Sequence, residues 1–283
     1  MMDWLTTPLS EPFMQRALLG GVLAAVTTSV VGTWVVMRGM SFMGDALAHG
    51  ALPGIALAVV VGFDPALGAA LSALVMIGGI NLVHRRSRLS EDAGIGLLFV
   101  GMLALGVIII SRGGSYAASL SGILFGDALG VTTGDLVLMA SGTLVALAAS
   151  AVFYRPFLAL AFNEQKAEVL GLSPSLANAV LLALITLAVV TSFRTVGSLL
   201  VFGLLVAPPA TAALVSRRVP VMMAVAAGTG ILAVLAGLLI SWYAETAAGA
   251  TMAGVAVAIF FVVLVGRDLV GSLGRPSVPA RSP

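Results

Sequence analysis

Cysteine is absent from this chain, which removes disulfides and thiolate metal ligands together. Any metal handled by these residues must meet oxygen, imidazole or thioether groups. Charge is scarce as well: 9% of the 283 residues are charged and 60% are hydrophobic. A soluble domain carries about a quarter charged residues, so that class is excluded. The net charge of +2 comes from few ionisable groups and points to no nucleic-acid partner. A single lysine, Lys166, is followed by Ala167, so no G-x-x-x-x-G-K-[ST] phosphate-binding loop exists. If transport is driven by ATP, a separate subunit has to supply the ATPase. Ten-residue units of alternating polarity are also missing, which makes a membrane β-barrel a poor fit.

What the sequence does contain is long apolar runs. Nine segments reach or approach the roughly 20 residues that cross a hydrocarbon core: 17–37, 44–62, 65–83, 93–111, 134–154, 176–193, 196–215, 220–242 and 249–266. They predict an all-α polytopic membrane protein of eight or nine transmembrane helices, with one permease-like domain over 1–270 and a short flexible tail over 271–283. The first run follows Asp3 and Glu11 without a basic leader region or a cleavage signal, and is expected to be a retained span. Glycine pairs at 20–21 and 78–79 and the many alanines suit close helix packing.

Basic residues set the expected orientation. If Arg38, the cluster His84–Arg88, Arg155, Lys166, Arg217, Arg218, Arg267, Arg275 and Arg281 face the cytoplasm, eleven of the fourteen Lys and Arg residues lie inside, with Arg16, Arg112 and Arg194 as exceptions. This places the N-terminus outside and the C-terminus inside. Arg194 falls between two apolar runs that could form one broken element. The Gly-rich stretch 111–135 suits an interfacial or re-entrant segment.

Few polar groups lie within the spans, and those that do are the functional candidates. In "FMGDALAHGALPG", Asp45 and His49 are four residues apart and share a helix face. Together they could hold a divalent cation, or hydrogen-bond to one another as a structural pair; Asp45 could also be no more than the N-cap of its span. Pro53 has no N–H for the carbonyl of His49, so the Pro53-Gly54 pair loosens the backbone beside both side chains. Pro208 and Pro209 in "VFGLLVAPPATAAL" are expected to break or kink their span, with cavity lining as the second reading. Glu91 and Asp92 read as a first-turn acidic cap. Asp127 and Asp135 flank the ambiguous 111–135 stretch, where Asp135 also reads as a helix N-terminal residue. Glu245 lies near a span end beside the interface anchors Trp242 and Tyr243. The longest hydrophilic excursion, 154–178, reads as a short amphipathic helix at the cytoplasmic surface, opened by a proline and closed by "GLSPS".

Five stretches in order, "GMSFMGDALAHGALPGIALA", "EDAGIGLLFVGMLALGVII", "ILFGDALG", "NEQKAEVLGL" and "VGSLLVFGLLVAPPATAAL", resemble the metal-uptake ABC permeases, importers of zinc, manganese or iron(II). The resemblance spans about residues 12–270. It implies a type II ABC importer-like permease of the bacterial plasma membrane. Such a permease is a homodimer served by cytoplasmic ATPase subunits that bind the ATP and by an extracytoplasmic metal-binding protein. The transported divalent metal is then cargo; no cofactor is permanently bound, and the chain is no enzyme. Carried over by position, Asp45 and His49 fall in the metal pathway. The ATPase-coupling segment falls on about 155–175, with Glu164, Glu168 and Gly171 at its densest part, and Pro208 to Ala212 match a Pro-Ala-Ala-like segment. The competing readings are a permease for an iron chelate or cobalamin, and an ion-coupled secondary carrier that needs no ATPase.

The charge distribution carries its own test. Cysteines placed singly at Ser87 and Ser216 should react only with reagents that enter the cytoplasm; labelling of both in intact cells by an impermeant maleimide would reverse the orientation.

Overall fold

The computed structural model describes residues 8, 10–86, 91–111, 130–162 and 171–273. Among the described residues ten helices follow one another: α1 (Pro12–Met37), α2 (Ser41–Gly50), α3 (Leu52–Val61), α4 (Pro65–Arg86), α5 (Glu91–Ser111), α6 (Thr133–Val152), α7 (Tyr154–Phe162), α8 (Pro174–Val215), α9 (Val219–Ala244) and α10 (Ala248–Leu273). No strand occurs among the described residues, as expected where backbone N–H and C=O groups must find partners inside their own segment.

Each of the nine apolar runs is helical. Among the described residues six helices are long and apolar enough to cross a membrane unaided: α1, Ala93–Ser111 of α5, α6, Pro174–Phe193 of α8, α9, and Ala248–Leu269 of α10. The remaining runs appear as the shorter apolar helices Leu52–Val61, Pro65–Ile80 and Leu200–Val215. The run 44–62 is therefore divided, into α2 and α3. The runs 176–193 and 196–215 join within α8, and the break between them is at Gly197, whose φ of 72° and ψ of 164° belong to a region open essentially to glycine.

Local chemistry sets the ends of these helices. Gly62 closes α3 in the left-handed conformation (φ 88°), and Asp64 then caps α4, its Oδ1 accepting from the N–H groups of Ala66 (2.7 Å) and Leu67 (3.1 Å). Thr132 and Asp135 form a reciprocal capping box on α6, so Asp135 is a helix-start residue. Glu245 is an exposed left-handed C-cap of α9, and Trp242 stacks on Phe13 with ring centroids 6.0 Å apart. Asp127, and the side chains of Glu91 and Asp92, lie outside the described residues, as do most of 111–135 and residues 274–283.

α1 is the central post: 72% of its membrane window is buried inside the protein, against 22% for α5 and α10. It packs against α8, α9 and α6 and touches α2 and α7. Small residues make those approaches possible. A Cβ on Gly21 would meet Val234 of α9, and one on Gly32 would overlap the carbonyl oxygen of Leu205 in α8. That carbonyl is the one Pro209, four residues on, has no N–H to serve. Thr27 and Thr143 share a buried hydroxyl hydrogen bond of 2.7 Å between α1 and α6.

Two arginines bond to the ends of α8. Arg38 Nη1, just after α1, donates to Asn178 Oδ1 near the start of α8 at 2.6 Å, and Arg267 Nη1 of α10 donates to the Leu214 carbonyl at the end of α8 at 2.9 Å.

Gly32→Ala should lower the thermal midpoint of the purified protein, because overpacking against a backbone carbonyl costs on the order of 1–3 kcal/mol or more. Gly101→Ala on α5, where an added Cβ meets nothing within 4 Å, should leave the midpoint unchanged or raise it slightly. Equal midpoints for the two variants would contradict the α1–α8 contact.

Candidate functional site

Helix α2 carries Asp45 and His49 and turns Met43, Gly44, Ala46, Leu47 and Gly50 into the protein. It lies against α4, α5 and α8. His49 is half-buried, and its ring meets Phe99 of α5 edge-on, with centroids 5.4 Å apart and planes at 76°. The backbone of Asp45 lies one turn earlier on the same helix; its side chain lies outside the described residues.

The interruption after His49 has a definite construction. Ala51 separates α2 from α3 while keeping right-handed helical angles (φ −75°, ψ −20°), and the ladder resumes with Ile55 N–H donating to the Ala51 carbonyl at 3.1 Å. Pro53 stands in the first turn of α3, where its missing N–H costs least. The adjoining Gly50 carbonyl accepts a 2.7 Å hydrogen bond from Ser72 Oγ of α4. Ser72 reaches it because Gly54 lies directly on Gly68: a Cβ on either glycine would overlap the other's carbonyl. On the other side, Gly106 of α5 faces Leu52 and Pro53, where an added Cβ would lie 3.1 Å from Leu52 Cβ. Pro53 has no N–H for the His49 carbonyl, Ser72 serves the neighbouring Gly50 carbonyl, and two glycines let the serine arrive. The break is buried between two helices.

Pro208 and Pro209 behave differently from expectation. Both are buried, and α8 stays helical through them; the departure from helical angles is eleven residues earlier, at Gly197. Close packing supports this stretch: Pro209 Cγ lies 2.9 Å from the position of a Cβ on Gly32, and Pro208 Cγ lies 3.7 Å from one on Gly230. The same helix reaches the candidate site through Leu205, whose side chain fills the space a Cβ on Gly44 would take. Gly44 immediately precedes Asp45.

Glu164 and Glu168 lie outside the described residues. Gly171 follows them with a positive φ of 72°, and Pro174 then opens α8, so "GLSPS" contains a helix start. Among the described residues no group of three or more His, Cys, Asp or Glu side chains is close enough to hold a metal ion. Sequence reasoning missed Ser72, Phe99, Leu205 and Gly197. Only the spacing of Gly68 and Ser72, two small residues one turn apart, hinted at a close helix contact.

These features define a polytopic α-helical membrane protein with an interrupted, inward-packed helix. The family model for the ABC 3 transport family matches residues 10–267. The manganese transport system membrane protein MntC of Listeria monocytogenes is 35% identical over 253 residues, covering 89% of this chain and 90% of that protein. The chelated iron transport system membrane protein YfeD of Yersinia pestis is 33% identical, covering 92% of this chain and 86% of that protein. Among solved structures, a chain of PsaBC from Streptococcus pneumoniae in complex with Fab superposes with a TM-score of 0.85 at 30% identity, covering 93% of this chain and 95% of that one. The chain belongs to the ABC 3 transport family. It is the non-catalytic membrane permease component of an ABC transporter and resides in the bacterial inner membrane.

Ser72→Ala would strip the Gly50 carbonyl of its donor in an apolar setting, a loss of about 1–3 kcal/mol. A lower unfolding midpoint is expected for Ser72→Ala, with Ser72→Thr retaining more stability than Ala; an unchanged midpoint in Ser72→Ala would show that the hydroxyl does not support the break.

Proposed function

We propose that this permease serves an importer of divalent transition-metal ions, manganese, iron(II) or zinc, and that Asp45 and His49 form the point through which the ion passes. The observation that carries this reading is the backbone interruption at Ala51, two residues after His49, inside a helix whose other faces pack into an apolar bundle. The names of the manganese and iron permeases it is similar to support the substrate class.

A carboxylate and an imidazole suit borderline divalent ions, and the absence of cysteine removes the soft ligands that would favour copper(I). Two such ligands hold an ion briefly, which suits passage, since a site on a path must release what it binds. Selectivity then rests on geometry and on the protein that delivers the metal.

The working unit in this reading is a homodimer in the lipid bilayer, with a metal-loaded binding protein docked outside and two ATPase subunits inside. ATP binds to the ATPases. Their closure presses on the 163–172 segment, where Glu164, Glu168 and Gly171 contact them, and the bundle alternates between outward and inward access. Pro53 keeps the backbone next to His49 free of one helical bond, while Pro208 and Pro209 shape the helix behind α2.

The test is manganese flux through purified, liposome-embedded complexes with equal protein loading. Asp45→Asn and His49→Ala should each lower flux by about tenfold or more, the scale set by losing even a supporting group at a metal ligand. ATP hydrolysis and insertion should persist in both. Wild-type flux in both variants would remove these residues from the path.

A further inference from the structure

The polar excursion between α6 and α8 is held at both of its ends by the last turns of a single helix. Where the chain enters, Trp34 of α1 is wholly buried and meets two rings of α7: Tyr154 edge-on (centroids 5.5 Å, planes at 75°) and Phe157 at 57° (5.3 Å). Phe153 stacks on Phe157 at 5.8 Å and extends the cluster. The indole Nε1 is buried without an acceptor among the described residues, so packing holds this ring. Where the chain leaves, Arg38, one helical turn beyond Trp34, donates to Asn178 at 2.6 Å in the first turns of α8.

The same helix continues the contact inward. Gly32, two residues before Trp34, lies on the Leu205 carbonyl, and the Leu205 side chain lies on Gly44, the neighbour of Asp45. A contiguous route therefore runs from the excursion through the end of α1 and Leu205 to α2. Packed interiors transmit displacement because they deform little.

We propose that the C-terminal end of α1 is a two-point clamp that couples the 163–172 segment to α2, with Trp34 holding the chain as it enters that segment and Arg38 holding it as it leaves. Trp34 and Arg38 are positioning residues: they touch neither the ion nor the ATPase. The proposal rests on the reading of 163–172 as the ATPase contact and of Asp45 and His49 as the transit point. Contiguity identifies the route, and energetic coupling along it is what an experiment has to measure.

The measurement is manganese(II) uptake and ATP hydrolysis in the same vesicles holding the complete complex. Arg38→Gln, Asn178→Ala and Trp34→Ala should keep the ATPase bound and hydrolysing, while metal moved per ATP falls roughly fivefold or more, the lower end of usual site-to-site coupling. Trp34→Phe, which keeps an aromatic ring in the cluster, should stay near the wild-type ratio. Trp34 is a core residue, so Asn178→Ala, at a half-buried position, provides the variant least able to disturb folding. A wild-type metal-to-ATP ratio in both Arg38→Gln and Asn178→Ala would overturn the proposal. So would a proportional loss of bound ATPase and flux, because the clamp would then only shape the docking surface. Failure of the underlying reading is separately visible: Glu168→Arg and Gly171→Trp would leave ATPase binding intact, or Asp45→Asn and His49→Ala would leave flux intact.

Discussion

A backbone carbonyl that loses its helical N–H inside an apolar medium must find another donor or be packed tightly against a neighbour. This protein places buried prolines at two such points. Pro53 has no N–H for the His49 carbonyl, and beside it the Gly50 carbonyl accepts a hydrogen bond from Ser72, a residue brought within reach by Gly54 lying on Gly68. At Pro209 the Leu205 carbonyl is covered by the backbone of α1 at Gly32. At both crossings, α3 with α4 and α1 with α8, a backbone carbonyl lies against a glycine of the neighbouring helix.

Once those crossings are set, the layout of the bundle has consequences for transport. α1, the most enclosed span, touches the elements that a membrane pump must connect: α7 and the start of α8, which flank the polar excursion, and α8 again beside α2. A permease that carries no nucleotide-binding loop receives its energy from outside the bilayer, so a stiff element joining its surface to its interior is a mechanical necessity. The polar interruption after His49 is enclosed between α4 and α5. On the proposed path an ion there would meet a site defined by packed helices, and fixed geometry is what distinguishes similar divalent ions when ligand types alone do not.

The helices themselves were legible because lipid leaves so few alternatives. Nine apolar runs of the right length, with Asp135 and the "GLSPS" stretch as local signals, placed the helices, though neither where 44–62 divides nor how 176–193 joins 196–215 was visible in them. Family membership was legible for a different reason: five motifs in order are improbable in an unrelated chain. The pairing of Asp45 with His49 on one helix face was equally open to inspection, because a separation of four residues means one turn in any α-helix.

What the sequence could not decide were contacts between residues far apart along the chain. Nothing in "LVAPPATAAL" says that the double proline remains helical while Gly197, eleven residues before, takes the break; α1 supports the first, and a backbone angle accessible to glycine permits the second. Nor does a lone serine at position 72 declare itself the donor for a carbonyl 22 residues away. Composition and spacing determined that this is an all-helical membrane protein with a carboxylate and an imidazole on one helix face, and the five motifs in order carried the resemblance to permeases. Which helices lie against that one, which hydroxyl closes its broken ladder and which side chains tie it to the surface were decided only by tertiary packing, because those interactions depend on the distance between helices, and close approach is set by pairs of small residues that no single segment contains.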